Sequence, residues 1–146
     1  MVACSDSLVW ECIKNNNSFM KKLSGRSKAT GTMRFSVEKG NLRSLSSFKH
    51  SGLANSKAVD VTFTDKNTAV LSKKTASKSS SSVSVVDIPM NKNFKKVVKS
   101  IESQTASNFY RPDLKNDALA KFSAVYKANR IAKGVKKNLP VKKGRN

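Results

Sequence analysis

The chain has 146 residues, 38% of them hydrophobic and 7% aromatic, and sets 29 Lys and Arg against 9 Asp and Glu for a formal net charge of +20. That length suits one folded unit with a modest core, because a second would leave each half too small to bury much apolar surface. The charge lies far above the magnitude of about 2 to 8 that keeps a small domain soluble, so it calls for a polyanionic partner, nucleic acid before an anionic membrane surface.

At the N-terminus, MVACSDSLVWECIK has no basic residue before Lys14 and carries Asp6 and Glu11, the wrong pattern for a signal peptide or mitochondrial presequence. No stretch reaches the length of a membrane span. A soluble protein of the cytosol or nucleus is expected. Cys4 and Cys12 lack a CxxC spacing or a histidine partner, so reduced, partly buried thiols are expected, with no metal and no cofactor. Asp6 to Asn15 reads as a short helix capped by Asp6, with Leu8, Val9, Cys12 and Ile13 on its apolar face.

Ser18 to Leu23 and Thr32 to Val37 read as short strands around a Gly- and Lys-containing loop. The clearest strand is Lys57 to Thr64, in which Val59, Val61 and Phe63 alternate with polar residues. Asp65-Lys66-Asn67 then turns the chain into Thr68 to Ser72, completing a hairpin. Ser72 to Ser84 is a low-complexity Ser/Lys-rich stretch, expected to loop out, whose Lys73, Lys74 and Lys78 suggest an anionic partner. Val83 to Ile88 suits one more strand, closed by Pro89.

Residues 91 to 107 show helical periodicity, with Phe94, Val97, Val98 and Ile101 in one stripe and Lys92, Lys95, Lys96 and Lys99 mostly elsewhere around the axis. Asn108 to Leu114, NFYRPDL, breaks this helix at Pro112. A second helix starts there and builds its apolar face from Ala118, Leu119, Phe122, Val125 and Tyr126. The fold class that follows is α+β: a small antiparallel sheet with an N-terminal helix, two C-terminal helices and a basic C-terminal extension. We expect a single domain over residues 1–133, with a loop at 72–84, and a basic tail over residues 134–146.

Catalysis has little to work with. The chain has one histidine, His50, with no acid near it in sequence, and no P-loop, GxGxxG, HExxH or GxSxG motif. His50 is expected to be a loop residue touching RNA or backbone, and no enzyme activity is expected. Two clusters suit nucleic acid better, Phe48-Lys49-His50 and Asn108-Phe109-Tyr110-Arg111, since aromatic faces stack on unpaired bases while Lys and Arg take phosphates. The alternative for Phe48, Phe109 and Tyr110 is a role as core anchors. The tail IAKGVKKNLPVKKGRN is acid-free and suits draping along RNA, and Lys136-Lys137 with Lys142-Lys143 also reads as a nuclear-import signal.

Three blocks resemble the eukaryote-specific family of large-subunit ribosomal protein twenty-eight: LVWECIKNNNSFM at Leu8 to Met20, NLRSLSSFKHSGLANSKAVDV at Asn41 to Val61, and NFYRPDLKNDALAKFSAV at Asn108 to Val125. SFKHSGLANSK together with YRPDL is far more specific than any generic basic motif. The resemblance implies a structural constituent of the large (60S) subunit of the cytosolic ribosome, in contact with ribosomal RNA and neighbouring ribosomal proteins, with nuclear or nucleolar transit during assembly. It implies no membrane, no small-molecule substrate and no homo-oligomer. The RNA face would take in Lys49, His50, Lys57 and the Tyr110-Arg111-Pro112 turn. Arg43, Lys73, Lys74, Lys92, Lys95, Lys96, Lys99, Lys121, Arg130 and Lys133 are expected to join them, with Lys136, Lys137, Lys142, Lys143 and Arg145 from the tail. Two features depart from the family pattern: the serines at Ser79 to Ser82, and Asp117, an acid in a helix that is usually basic or neutral there. A second family, the Mak-sixteen type of ribosome-assembly factor, is similar over the N-terminal helix and the Gly-Leu segment, but it is longer and carries extra cysteines and an acidic region absent here.

Overall fold

A computed structural model describes residues 4–24, 31–64, 68–76 and 83–135. Helix α1 (Asp6–Ile13) is followed by the strands β1 (Met20–Ser24) and β2 (Thr32–Ser36), an antiparallel pair in register from Met20 opposite Ser36 to Ser24 opposite Thr32. A long connection with a 3-10 turn at Phe48–His50 leads to β3 (Val59–Thr64), β4 (Thr68–Ala76) and β5 (Val83–Met90), a meander in the order β3-β4-β5. Helix α2 (Phe94–Glu102) and helix α3 (Lys115–Ala132) complete the chain. This is the α+β arrangement expected, with its antiparallel strands divided between two sheets.

The core lies between the meander and the two C-terminal helices. Val59 and Val61 of β3 stand opposite Lys73 and Leu71 of β4, and Leu71 stands opposite Ile88 of β5, so alternate positions supply one apolar face. Val97 and Ile101 of α2 and Ala118 and Phe122 of α3 cover it, all at most 2% exposed. Phe94 stacks on Phe122 at 5.3 Å between ring centroids and meets Tyr126 at 5.1 Å, which fastens α2 to α3. Each fully buried large apolar side chain contributes about 1.5–3 kcal/mol, so this seam carries the fold. Both helical stripes read from the sequence are thus the packed faces.

Several local expectations are corrected. Ser5, not Asp6, caps α1, its hydroxyl accepting from the Leu8 N–H; Asp6 instead accepts from the backbone N–H and hydroxyl of Ser56. Leu8 and Cys12 are exposed, whereas Val9, Trp10 and Ile13 are half-buried, and Trp10 meets Phe48 at 6.0 Å. Cys4 and Cys12 are both exposed rather than partly buried. Phe63, the third residue of the β3 alternation, is exposed as well. The Ser/Lys-rich stretch does not leave the fold at Ser72: β4 continues to Ala76 and pairs with β5 as far as Ala76 opposite Val83. Pairing with β3 as far as Lys73, and with β5 over the whole of β4, overrides the weak strand propensity of that sequence. Residues 77–82, and the Asp65-Lys66-Asn67 turn, lie outside the described residues. Pro89 sits inside β5 rather than after it, tolerated because β5 is an edge strand. The helix read over 91–107 is shorter, since α2 ends at Glu102 and passes into a π-helical turn at Ser103–Ser107.

Candidate nucleic-acid interface

The connection between β2 and β3 contains the most specific sequence block, and it folds around its own polar groups. Asn41 donates to the Glu38 carboxylate and to the Leu45 carbonyl, and Asn55 donates to the Phe48 and Ser51 carbonyls at 2.6 and 2.8 Å. Gly52 packs on the backbone of Lys39 and Gly40, where a Cβ would lie 2.1 Å from the Lys39 oxygen, so no larger residue fits without moving the loop. Buried backbone groups need such partners because each unpaired one costs about 1–3 kcal/mol.

Many of the cations expected to meet RNA have their polar atoms committed here. The Arg111 guanidinium donates to the Lys57 carbonyl at 2.7 Å, to the Lys49 carbonyl at 2.8 Å, and in a fork to both carboxylate oxygens of Asp113. Those bonds hold the Asp113 carboxyl below its usual range, the Arg111 hydrogen bond outweighing partial burial. Lys74 donates to the Gly52 and Asn55 carbonyls, and Lys121 reaches Asp60 at 2.6 Å and the Asn41 carbonyl at 3.1 Å. The Tyr110 hydroxyl donates to the Lys74 carbonyl, and its ring lies beneath the Lys73 and Lys57 ammonium groups, 4.5 and 5.7 Å from its centroid. Burial pushes the Tyr110 phenol up, against the opposing Ala58 hydrogen bond. Lys73 also donates to Gln104.

Asp117 is the organiser that the sequence concealed. His50, only 9% exposed, places Nε2 3.1 Å from Asp117 Oδ2, while Ser47 Oγ lies 2.9 Å from Nδ1. A carboxylate only accepts, so Nε2 carries the proton, and in the neutral ring Nδ1 accepts from Ser47. Lys49 at 3.3 Å and Arg43 at 3.8 Å also approach the carboxylate. Burial raises the Asp117 pKa, but hydrogen bonds from His50 and Lys49 and the Lys49 charge outweigh it and hold the carboxyl below its ordinary value. Asp117 therefore pins the 3-10 turn onto α3, and His50 is a buried strut.

A different set of cations faces outward. Lys92, Lys95, Lys96 and Lys99 are exposed on or just before α2, and Arg130 and Lys133 on or just after the last turn of α3; none has an ion-pair partner among the described residues. Lys57 is exposed as well. Where α3 ends beside the start of β4 and the end of β5, Lys92, Arg130 and Lys133 line a cleft of about 180 Å³ together with Tyr126 and Asn129. Asn129 is 7% exposed and its Oδ1 has no hydrogen-bond partner among the described residues. The adjoining groove of about 330 Å³ adds Lys127, again with Arg130. Sequence reasoning missed Lys127 and Asn129; the i,i+3 spacing of Lys127 and Arg130 was the one available signal. Lys136, Lys137, Lys142, Lys143 and Arg145 lie outside the described residues. A larger hollow, about 560 Å³ over Asp60, Thr62, Ser72 and Asp87, offers no excess of positive charge.

The described residues hold no cluster of His, Cys, Asp and Glu fit for a metal ion, and no described helix is long and apolar enough to cross a membrane. Residues 8–128 match the model of the Ribosomal L28e protein family. Over 136 residues the chain is 35% identical to "Large ribosomal subunit protein eL28" of Dictyostelium discoideum, covering 88% of this chain and 92% of that one. The Schizosaccharomyces pombe protein of the same name is 30% identical over 92% of this chain and 99% of its own length. The Caenorhabditis elegans protein of that name is 45% identical over 69 residues, 47% of this chain and 51% of its own. With the match running from α1 almost to the end of α3, the chain belongs to the Ribosomal L28e protein family.

Proposed function

We propose that this protein is a structural constituent of the large subunit of the eukaryotic cytosolic ribosome, seated on ribosomal RNA by the outward cations of α2 and the end of α3. The relatives named as large ribosomal subunit proteins support the ribosomal role. The observation that carries the RNA contact is the cleft that gathers Lys92, Arg130 and Lys133 around Asn129, with no acid among the described residues that line it. Flexible ammonium groups and a guanidinium read phosphate position and groove shape, not base sequence, which suits a protein whose register comes from folded RNA. Arg111, His50, Lys74 and Lys121 act one step back, by holding the body that presents this face.

Sucrose-gradient sedimentation of tagged protein tests the reading. Stoichiometric recovery in free large subunits, monosomes and polysomes is expected. Presence only in nuclear precursor particles would overturn it in favour of an assembly factor of the Mak-sixteen type.

A further inference from the structure

Phe109 is the most exposed large apolar residue among those described, at 83%, and it holds a left-handed backbone with φ +49°. Non-glycine residues adopt that conformation at a cost that burial or a bound partner normally offsets, and here burial offsets nothing. Nor is the position loose. The turn is closed by Asn108 N–H to the Ser103 carbonyl and Phe109 N–H to the Ala106 carbonyl, and Arg111 N–H returns to the Thr105 carbonyl. On its C-terminal side Tyr110 is tied to the Lys74 carbonyl and Arg111 to Lys49, Lys57 and Asp113. On its N-terminal side stands the π-helical turn Ser103–Ser107, a rare geometry frequently found at functional positions. The ring is thus thrust outward from a clamp fixed on both sides.

Its surroundings select the partner. The ammonium groups of Lys57 and Lys73 stand over the ring of the next residue, Tyr110. The nearby acids, Asp113 and Glu102, are already paired with Arg111 and Lys115. An exposed aromatic face beside two ammonium groups that have no acid partner among the described residues, Lys73 meeting only the neutral Gln104, fits a nucleobase whose own phosphates need neutralising. We propose that Phe109 stacks on an unpaired base of the RNA, with Lys57 and Lys73 holding the flanking phosphates. This rests on the ribosomal-RNA reading above and adds a second contact to it, made by single-stranded rather than helical RNA.

The test measures affinity of the full chain, at fixed salt, for an unstructured oligouridylate strand and for an RNA duplex of equal length. Phe109→Ala should weaken single-strand binding about 5- to 100-fold, while duplex binding stays within about twofold and Phe109→Trp retains both. Urea unfolding of Phe109→Ala should match or exceed the parent, since no buried contact is lost. Equal affinity of parent and Phe109→Ala for the single strand would overturn the proposal and point to a protein neighbour, and so would a matched loss on both RNAs. If the parent bound neither RNA, the ribosomal-RNA reading would fail and this one with it.

Discussion

Arg111→Ala separates a structural cation from an RNA-binding one. The side chain is only 15% exposed and donates to two carbonyls on different parts of the β2–β3 connection. A hydrogen bond to a charged group contributes about 1.5–3 kcal/mol, and the half-exposed fork to Asp113 adds at most about 1 kcal/mol. Both carbonyls lie where water can reach them once the clamp is gone, so the net loss is at the low end, about 3 kcal/mol. With a urea m-value of about 2 kcal/mol/M, the unfolding midpoint should fall by roughly 1.5 M. Trp10, the sole tryptophan, lies 6.0 Å from Phe48 and reports on that connection by fluorescence. Arg111→Lys should recover about half of the loss, because an ammonium cannot span both carbonyls and the carboxylate at once. The salt dependence of RNA binding by the folded variant should be unchanged. A midpoint at the parent value together with a shallower salt slope would refute the reasoning, because it would place the guanidinium on phosphate.

Two further outcomes follow from the charge arrangement. Replacing Lys92, Arg130 and Lys133 together by Ala should leave the urea midpoint within about 0.5 M, yet reduce the slope of log affinity against log salt by roughly two to three, read by RNA titration at several salt concentrations. Asp117→Asn should cost about 1–2 kcal/mol at neutral pH by loosening the struts from His50 and Lys49. Because the folded carboxyl pKa is depressed, its contribution is complete above the ordinary value of 3.8 and disappears as the pH falls through the lower folded value. The gap between parent and Asp117→Asn in denaturant titrations should therefore close on acidification, and a gap constant down to the acid limb would contradict the assignment.

The helices and strands were legible because hydrophobic periodicity is local. The stripe Phe94, Val97, Val98 and Ile101 and the face Ala118, Leu119, Phe122, Val125 and Tyr126 became the two packed surfaces, and the Val59/Val61 alternation became the core strand. The family was legible for a related reason, since its blocks are contiguous runs of residues. What each charge does was not legible. Arg111 meets carbonyls 54 and 62 residues away, Lys121 meets a carboxylate 61 away, and His50 meets Asp117 across 67 residues. Ion pairing and capping depend on distance in space, and only packing of the β2–β3 connection and β3 against α3 and the turn before it brings these groups together. The sequence by itself determined a strongly basic α+β protein of a ribosomal family. Tertiary structure decided which cations are internal struts and which remain outward, because a lysine in a string of letters carries no record of the oxygen it faces.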